Sequence, residues 1–384
     1  MADAMIWPDA AREQAFSGWL AVQAPAFGLV VPSLRLAASD AGFRRYLRID
    51  SQVNGVGAGR SFIIMDAPPQ HEDCRSFVHV QQLLAQARLH VPVVHAWDEA
   101  HGFMLLQDLG QQTLLQWLLA QQQQIQGDAQ PQSLYQAQAW QDALVQRAQP
   151  WFLHAVDTLV ALQQAVPAGQ VPPYDAAVLQ RELALFPQWY VQAHRQYTLS
   201  EAQQHSLQQV FDRIVAENLD APQVLVHRDF MPRNLMMPPD GQGPLGLLDF
   251  QDALHGPITY DIASLMRDAF WSWEEDFVLD VTVRYWERAR KAGLLAGKPE
   301  WESDFGQFYR AVDWMALQRH LKVAGIFARL GLRDHKPRYL ADTPRFIGYI
   351  RATASRYREL APLLRLVDEI EQTPVTEAFS FGRL

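Results

Sequence analysis

Residues 224–251 constrain this chain more than any other stretch. Val224-Leu225-Val226 is a short apolar run, a buried strand end that would deliver His227-Arg228-Asp229 into a loop. Two apolar arms follow, residues 234–237 and 244–248, separated by the turn formers Pro238-Pro239-Asp240-Gly241-Gln242-Gly243. An antiparallel hairpin across that turn sets Asn234, at the head of one arm, beside Asp249, just past the end of the other. The order is therefore strand, loop bearing His227 and Asp229, then a hairpin that pairs an amide with a carboxylate.

Those side chains suit phosphoryl transfer from ATP. Mg2+ prefers about six oxygens at roughly 2.0–2.1 Å and usually takes only one or two carboxylates, leaving room for water and nucleotide phosphates. Asn234 and Asp249 meet that need as metal ligands. Asp229 is free to accept the proton of an attacking hydroxyl while the metal offsets charge on the phosphoryl group. Taken singly, Asp229 beside Arg228 is a surface ion pair and Asn234 a turn former; the ordered context argues for the catalytic reading.

The strings VHRDFMPRNLMM (residues 226–237) and GLLDFQDALHGPITYDIASLMRD (246–268) resemble the aminoglycoside phosphotransferase and choline kinase superfamily. SDAGFRRYLRI (39–49), MDAPP (65–69), QDLG (107–110), GPITYDIASLMRD (256–268) and LQRHLKVAGIFARL (317–330) narrow the likeness to the bacterial anomeric kinases of N-acetylmuramate and N-acetylglucosamine. It spans residues 35–350. The resemblance implies an α+β, bilobal protein-kinase-like fold with a small antiparallel-sheet N-lobe and a mostly helical C-lobe. It also implies Asp229 as base, Asn234 and Asp249 as Mg2+ ligands, and Asp261 and His227 as structural residues that steady the catalytic loop. The expected activity is ATP-dependent phosphorylation of the sugar's anomeric hydroxyl, in cell-wall sugar recycling. A related kinase of an aminoglycoside, choline or homoserine is the alternative, and a nucleotide-binding pseudokinase a further one.

Composition agrees without selecting a function. The 384 residues are 49% hydrophobic, enough for two or three lobes with ordinary interiors. A net charge of −9 and a pI near 5.7 argue against nucleic acid as a partner. One cysteine, Cys74, excludes an internal disulfide, no stretch approaches the roughly 18 apolar residues of a membrane span, and no basic, apolar leader opens the chain. The expectation is a cytoplasmic monomer that takes a small-molecule amino sugar as substrate and binds neither nucleic acid nor a membrane.

Residues 34–36, 43–49 and 62–65 read as strands, with Ser39-Asp40-Ala41-Gly42 as the turn between the first two. Helical spacing over 73–89 and strands at 91–97 and 103–106 complete a lobe of five strands and one helix, residues 1–106. Gln107-Asp108-Leu109-Gly110 then crosses to the C-lobe, residues 111–384. By resemblance 107–110 is the hinge, where the backbone of Gln107 and Leu109 would hold an adenine; an ordinary strand-to-helix loop is the plainer alternative. The glutamine-rich stretch 111–149 reads as helix, loop, helix with a solvated face, and helices follow at 151–164, 176–194 and 200–219.

The departures from a kinase pattern are specific. Protein kinases carry a phosphate-binding lysine on the third strand, whereas the lysines here are Lys291, Lys298, Lys322 and Lys336, and Met65 or Asp66 stands near that position. Arginine is the substitute, since guanidinium pairs with phosphate oxygens. Strand alternation puts Arg44, Tyr46 and Arg48 on one face and Arg45 on the other; Arg44 is the favoured phosphate ligand, a solvated surface the alternative. Gln251 and Asp252 follow Asp249 as candidates for sugar hydroxyls, with a second metal or a loop hydrogen bond open for Asp252. Asp261 would cap a helix start. Arg310 is a candidate substrate cation near Asp313 and Trp314, Arg319, His320 and Lys322 read as a solvated face, and Trp271 and Trp273 as core.

Overall fold

A computed structural model describes residues 7, 9–39, 43–52, 61–127 and 129–372. Strands β1 (Arg35–Ser39), β2 (Arg45–Asp50), β3 (Ser61–Asp66), β4 (Val94–Asp98) and β5 (Phe103–Gln107) form one antiparallel sheet in the order β1-β2-β3-β5-β4. The expected turn at Ser39 to Gly42 lies, at residues 40–42, outside the described residues.

Helix α1 (Ala10–Phe27) precedes β1, where the sequence reading assigns no element. Its start is capped by Asp9, which accepts from the Arg12 N–H at 2.7 Å. Phe16, Trp19 and Leu20, spaced i, i+3, i+4, bury one face against Leu47, Ile49, Phe62, Ile64, Phe103 and Leu105 of the sheet. Burial of each of these three side chains contributes roughly 1.5–3 kcal/mol. Arg12 also stacks on Phe103 at 4.4 Å and reaches Asp66. Asp66, near the position where a kinase lysine is expected, is buried between Arg12 and Arg45, so it ties α1 to the sheet.

Helix α2 (Cys74–Gln86) follows β3 with Asp73 as cap, and α3 (Leu114–Gln126) starts in a capping box of Thr113 and Gln116. The chain then runs through α4 (Leu134–Ala165) and α5 (Ala176–Leu183), a π-helical stretch Phe186–His194, and α6 (Glu201–Leu219) with the expected cap at Ser200. Two expectations change here. The helix expected at 151–164 is the second half of α4, which carries Pro150 because the buried row Leu144, Ala148, Phe152, Ala155, Val156 and Leu159 runs unbroken through it. The single helix expected over 176–194 widens from α to π geometry after α5.

Strand β6 (Gln223–Val226) is followed by the short pair β7 (Leu235–Met236) and β8 (Gly246–Leu247), then β9 (Leu254–Pro257), which pairs with β6. Helices α7 (Thr259–Met266), α8 (Glu275–Lys291), α9 (Pro299–Ser303), α10 (Phe305–Leu332), α11 (Arg338–Ala341), α12 (Thr343–Arg356) and α13 (Ala361–Ile370) complete the chain. At Gly325 the backbone of α10 meets the turn between α5 and the π-helical stretch: a Cβ there would lie 2.4 Å from the carbonyl carbon of Leu185. That approach brings the polar residues of α10 onto α5.

The residues group into two compact units, 1–131 with 233–252, and 132–232 with 253–384. The first unit thus runs beyond residue 106 and takes back the β7–β8 hairpin, since Leu247 donates to the His90 carbonyl at 2.8 Å and Met237 to that of Gln112 at 2.9 Å. Among the described residues no helix is long and apolar enough to cross a membrane.

Candidate active site

The candidate residues divide between the two units. In the first, β7 and β8 pair in the register Leu235 to Leu247 and Met236 to Gly246, and Leu248 donates to the Asn234 carbonyl at 3.0 Å. The Asn234 side chain lies 3.4 Å from the Asp249 carboxylate, whose other oxygen accepts from Gln251 Nε2 at 2.8 Å. Asp249 itself has φ of 64°, a left-handed conformation that a non-glycine residue rarely takes outside strained functional loops. A half-turn of the Asn234 amide exchanges nitrogen for oxygen at the same place, presenting two oxygens to one cation. One carboxylate and one amide fit Mg2+, which takes few carboxylates, and among the described residues no cluster of three His, Cys, Asp or Glu offers a richer metal site.

A cavity of about 260 Å3 opens beside this pair, lined by Tyr46, Arg48, Ile63, Leu106, Gln107, Leu109, Asn234 and Asp249 among others. Gln107 and Leu109 are both among its lining residues. Gly246 packs behind Leu109, whose Cδ1 a Cβ there would approach to 2.7 Å and have to displace. Arg48 ties residues 108–110 to the sheet: it donates to Asp108 at 2.7 and 3.1 Å and to the Gly110 carbonyl at 2.6 Å, while Ser61 adds a bond to Asp108 at 2.7 Å. Within β2 the side chains alternate, with Tyr46 and Arg48 lining the cavity and Arg45 turned to Asp66, whereas Arg44 precedes the strand and is not among the lining residues. Arg44 pairs with Glu72 at 2.7 Å. Burial works against its charge, but Tyr46 and the carboxylates of Glu72, Asp252 and Asp249 hold it more firmly protonated than an ordinary arginine. Asp252 is exposed, whereas Gln251 is buried, its Oε1 without a hydrogen-bond donor among the described residues.

In the second unit the β6–β9 pair ends at His227, which is buried. Asp261 accepts from the backbone N–H of His227 at 2.7 Å and of Arg228 at 3.0 Å. The expected helix-cap role is thereby corrected: Ile258 occupies the cap of α7, and Asp261, one turn in, spends its oxygens on the loop. Burial pushes its carboxyl up to about 7, against the pull of those two N–H groups and of Arg319. Asp229, half-buried, lies in the field of Arg228, Arg319 and Lys322.

The solvated face expected at Arg319, His320 and Lys322 is overturned. Arg319 and His320 are buried, Lys322 binds Glu182 at 2.9 Å and Tyr260 OH at 3.0 Å, and burial drives the His320 pKa down to about 3, leaving it neutral. Residues 312–321 of α10 are buried on every side, so the charges there have no water to face and must be paired. Glu182, the partner, carries no sequence signal at all. Arg310 is held by Glu217 and Glu359 at 3.4 and 3.2 Å and stacks on Trp314 and Tyr357, each at 4.8 Å. Trp271 and Trp273 are buried and pack together, 5.7 Å apart, as core.

A profile of the phosphotransferase enzyme family matches residues 33–301. The chain belongs to that family. This phosphotransferase is 44% identical over 339 residues, 88% of each chain, to a protein of Pseudomonas putida named N-acetylmuramate/N-acetylglucosamine kinase. It is 44% identical over 371 residues to a protein of Pseudomonas aeruginosa with the same name, covering 95% of this chain and 98% of that one. Its fold is similar to that of an ethanolamine kinase of Plasmodium vivax, at a TM-score of 0.57 and 10% identity over 95% of this chain and 93% of the other. An aminoglycoside phosphotransferase in complex with GDP and kanamycin gives 0.56 and 15% over 89% and 99%. The phosphotransferase therefore has the bilobal, α+β kinase-like fold expected of it.

Proposed function

We propose that this phosphotransferase transfers the γ-phosphoryl group of ATP to the anomeric hydroxyl of N-acetylmuramate and N-acetylglucosamine. The observation that carries the reading is the 44% identity, over most of both chains, to relatives named for those two sugars. In this reading Asp229 accepts the proton of the anomeric hydroxyl as its oxygen attacks phosphorus. Asn234 and Asp249 would hold Mg2+, which supplies charge neutralisation at the phosphates. The Gln107 carbonyl and Leu109 N–H take the adenine edge, and Gln251 and Asp252 take sugar hydroxyls. Arg310 is assigned no substrate contact, its guanidinium being committed to Glu217 and Glu359.

Mass spectrometry after incubation of N-acetylmuramate with ATP should show one added phosphoryl group and a sugar without a reducing end. A phosphorylated sugar that still reduces would place the chemistry at another hydroxyl, and turnover of only an aminoglycoside, choline or homoserine would replace the substrate.

Arg44 stands in for the lysine, held ready by Glu72 as the lysine of a kinase is held by a helix glutamate. Arg44→Ala removes one charge-assisted contact and is expected to lower kcat/KM for ATP by about 10- to 100-fold, from roughly 1.5–3 kcal/mol. An unchanged KM and kcat for ATP would return Arg44 to the role of a structural partner of Glu72.

A further inference from the structure

Arg228, immediately before Asp229, has φ of 76°, a left-handed conformation that a non-glycine residue keeps only where its surroundings hold it. Two carboxylates do so. Asp261 takes the backbone N–H groups of His227 and Arg228, and Glu182 takes the Arg228 guanidinium at 2.5 Å. Glu182 is buried at the end of α5 and gathers three further donors: Tyr174 OH, Gln318 Nε2 at 2.9 Å and Lys322 Nζ at 2.9 Å. Lys322 in turn bonds Tyr260, the residue before Asp261 on α7, so the side-chain anchor is tied to the helix that carries the main-chain anchor. The charges do not cancel within the cluster. One carboxylate faces two cations, and the fields of both Arg228 and Lys322 also reach Asp229.

We propose that Glu182 is a positioning residue for phosphoryl transfer, acting through Arg228 to fix the backbone from which Asp229 projects; this rests on Asp229 as the base. A group that only held the fold would affect stability alone. A positioning residue affects the rate of the bound complex, because a misplacement near 1 Å in the reacting geometry costs on the order of 100-fold.

The test measures steady-state kinetics of R228Q and E182Q, with thermal melting, on whichever acceptor the wild type phosphorylates. R228Q leaves Glu182 its bonds to Lys322, Gln318 and Tyr174, so the protein should fold. Its kcat should fall about 10- to 100-fold while KM for ATP and acceptor stays within about threefold. E182Q should lower kcat in the same direction and melt lower, because it strips Lys322 and Arg228 of their counter-ion; should R228Q not fold, R228K, which keeps a cation beside Glu182, carries the test in its place. Leu179→Ala, one turn earlier on α5 and fully buried, is the stability control: a lower melting temperature with kcat per folded molecule retained. R228Q with kcat within about twofold of wild type overturns the proposal, as does a loss that merely tracks melting temperature across the three variants. A wild type active on some other acceptor would unseat the substrate assignment and leave this comparison intact; one active on no acceptor would overturn both.

Discussion

Asp229→Asn should leave a folded protein that binds ATP with near-normal affinity and has lost roughly 10²- to 10⁴-fold of its turnover, the usual worth of a general base. The substitution keeps shape and removes the proton acceptor. Since the lost interaction exists only as the hydroxyl attacks, kcat and kcat/KM should fall together. Asp229 is also the anion on which Arg228, Arg319 and Lys322 act, so neutralising it leaves those cations less compensated and should lower the melting temperature slightly. Turnover equal to wild type, with binding preserved, would remove Asp229 from the role of base and leave phosphoryl transfer without a proton acceptor on this loop.

Glu182→Met should destabilise the second unit by roughly 3–5 kcal/mol, because it strips a buried counter-ion from Lys322 and Arg228 while both cations stay inside. Replacing Lys322 by Met in the same protein should recover part of that loss. The pH dependence has a definite sign. Burial raises the Glu182 pKa, but Lys322, Arg228 and the Tyr174 hydroxyl outweigh it and hold the carboxyl at about 2, below its usual 4.5. A carboxylate with a depressed folded-state value contributes stability that is complete above the unfolded value and disappears as pH falls through the folded one. The deficit of Glu182→Met relative to wild type should therefore be full at pH 7 and shrink between about pH 4.5 and 2. Urea midpoints at pH 7 and pH 3 measure it. A deficit that grew on acidification, or midpoints equal to wild type at pH 7, would show that the cluster does not depend on this carboxylate.

The hairpin and the five-stranded sheet were legible because their determinants are local. Pro238 to Gly243 leave no alternative to a turn, and once β7 and β8 pair, the bond from Leu248 to the Asn234 carbonyl delivers Asp249 to Asn234. The same locality misled at Asp261. An acidic residue at a helix start ordinarily caps it, yet here two N–H groups of the loop 33 and 34 residues earlier compete successfully for its oxygens. Helix α1 was readable in principle from Phe16, Trp19 and Leu20; its partner Asp66 was not, since nothing near that aspartate in the chain announces Arg12. Lys322 illustrates the limit most plainly: three basic residues in a row of four suggest water, and only the packing of α5, α7 and α12 around α10 encloses them.

By itself, the amino-acid sequence determined the five strands of the first sheet, the helices between residues 73 and 219 in outline, the turn between β7 and β8, and the order in which Asp229, Asn234 and Asp249 follow one another. Periodicity, capping and turn chemistry act between residues a few positions apart and can be read in one dimension. Tertiary structure alone decided which charges face each other. Glu182 meets Arg228 across 46 positions and Gln318 across 136, and hydrogen bonding and Coulomb attraction depend on distance in space rather than along the chain.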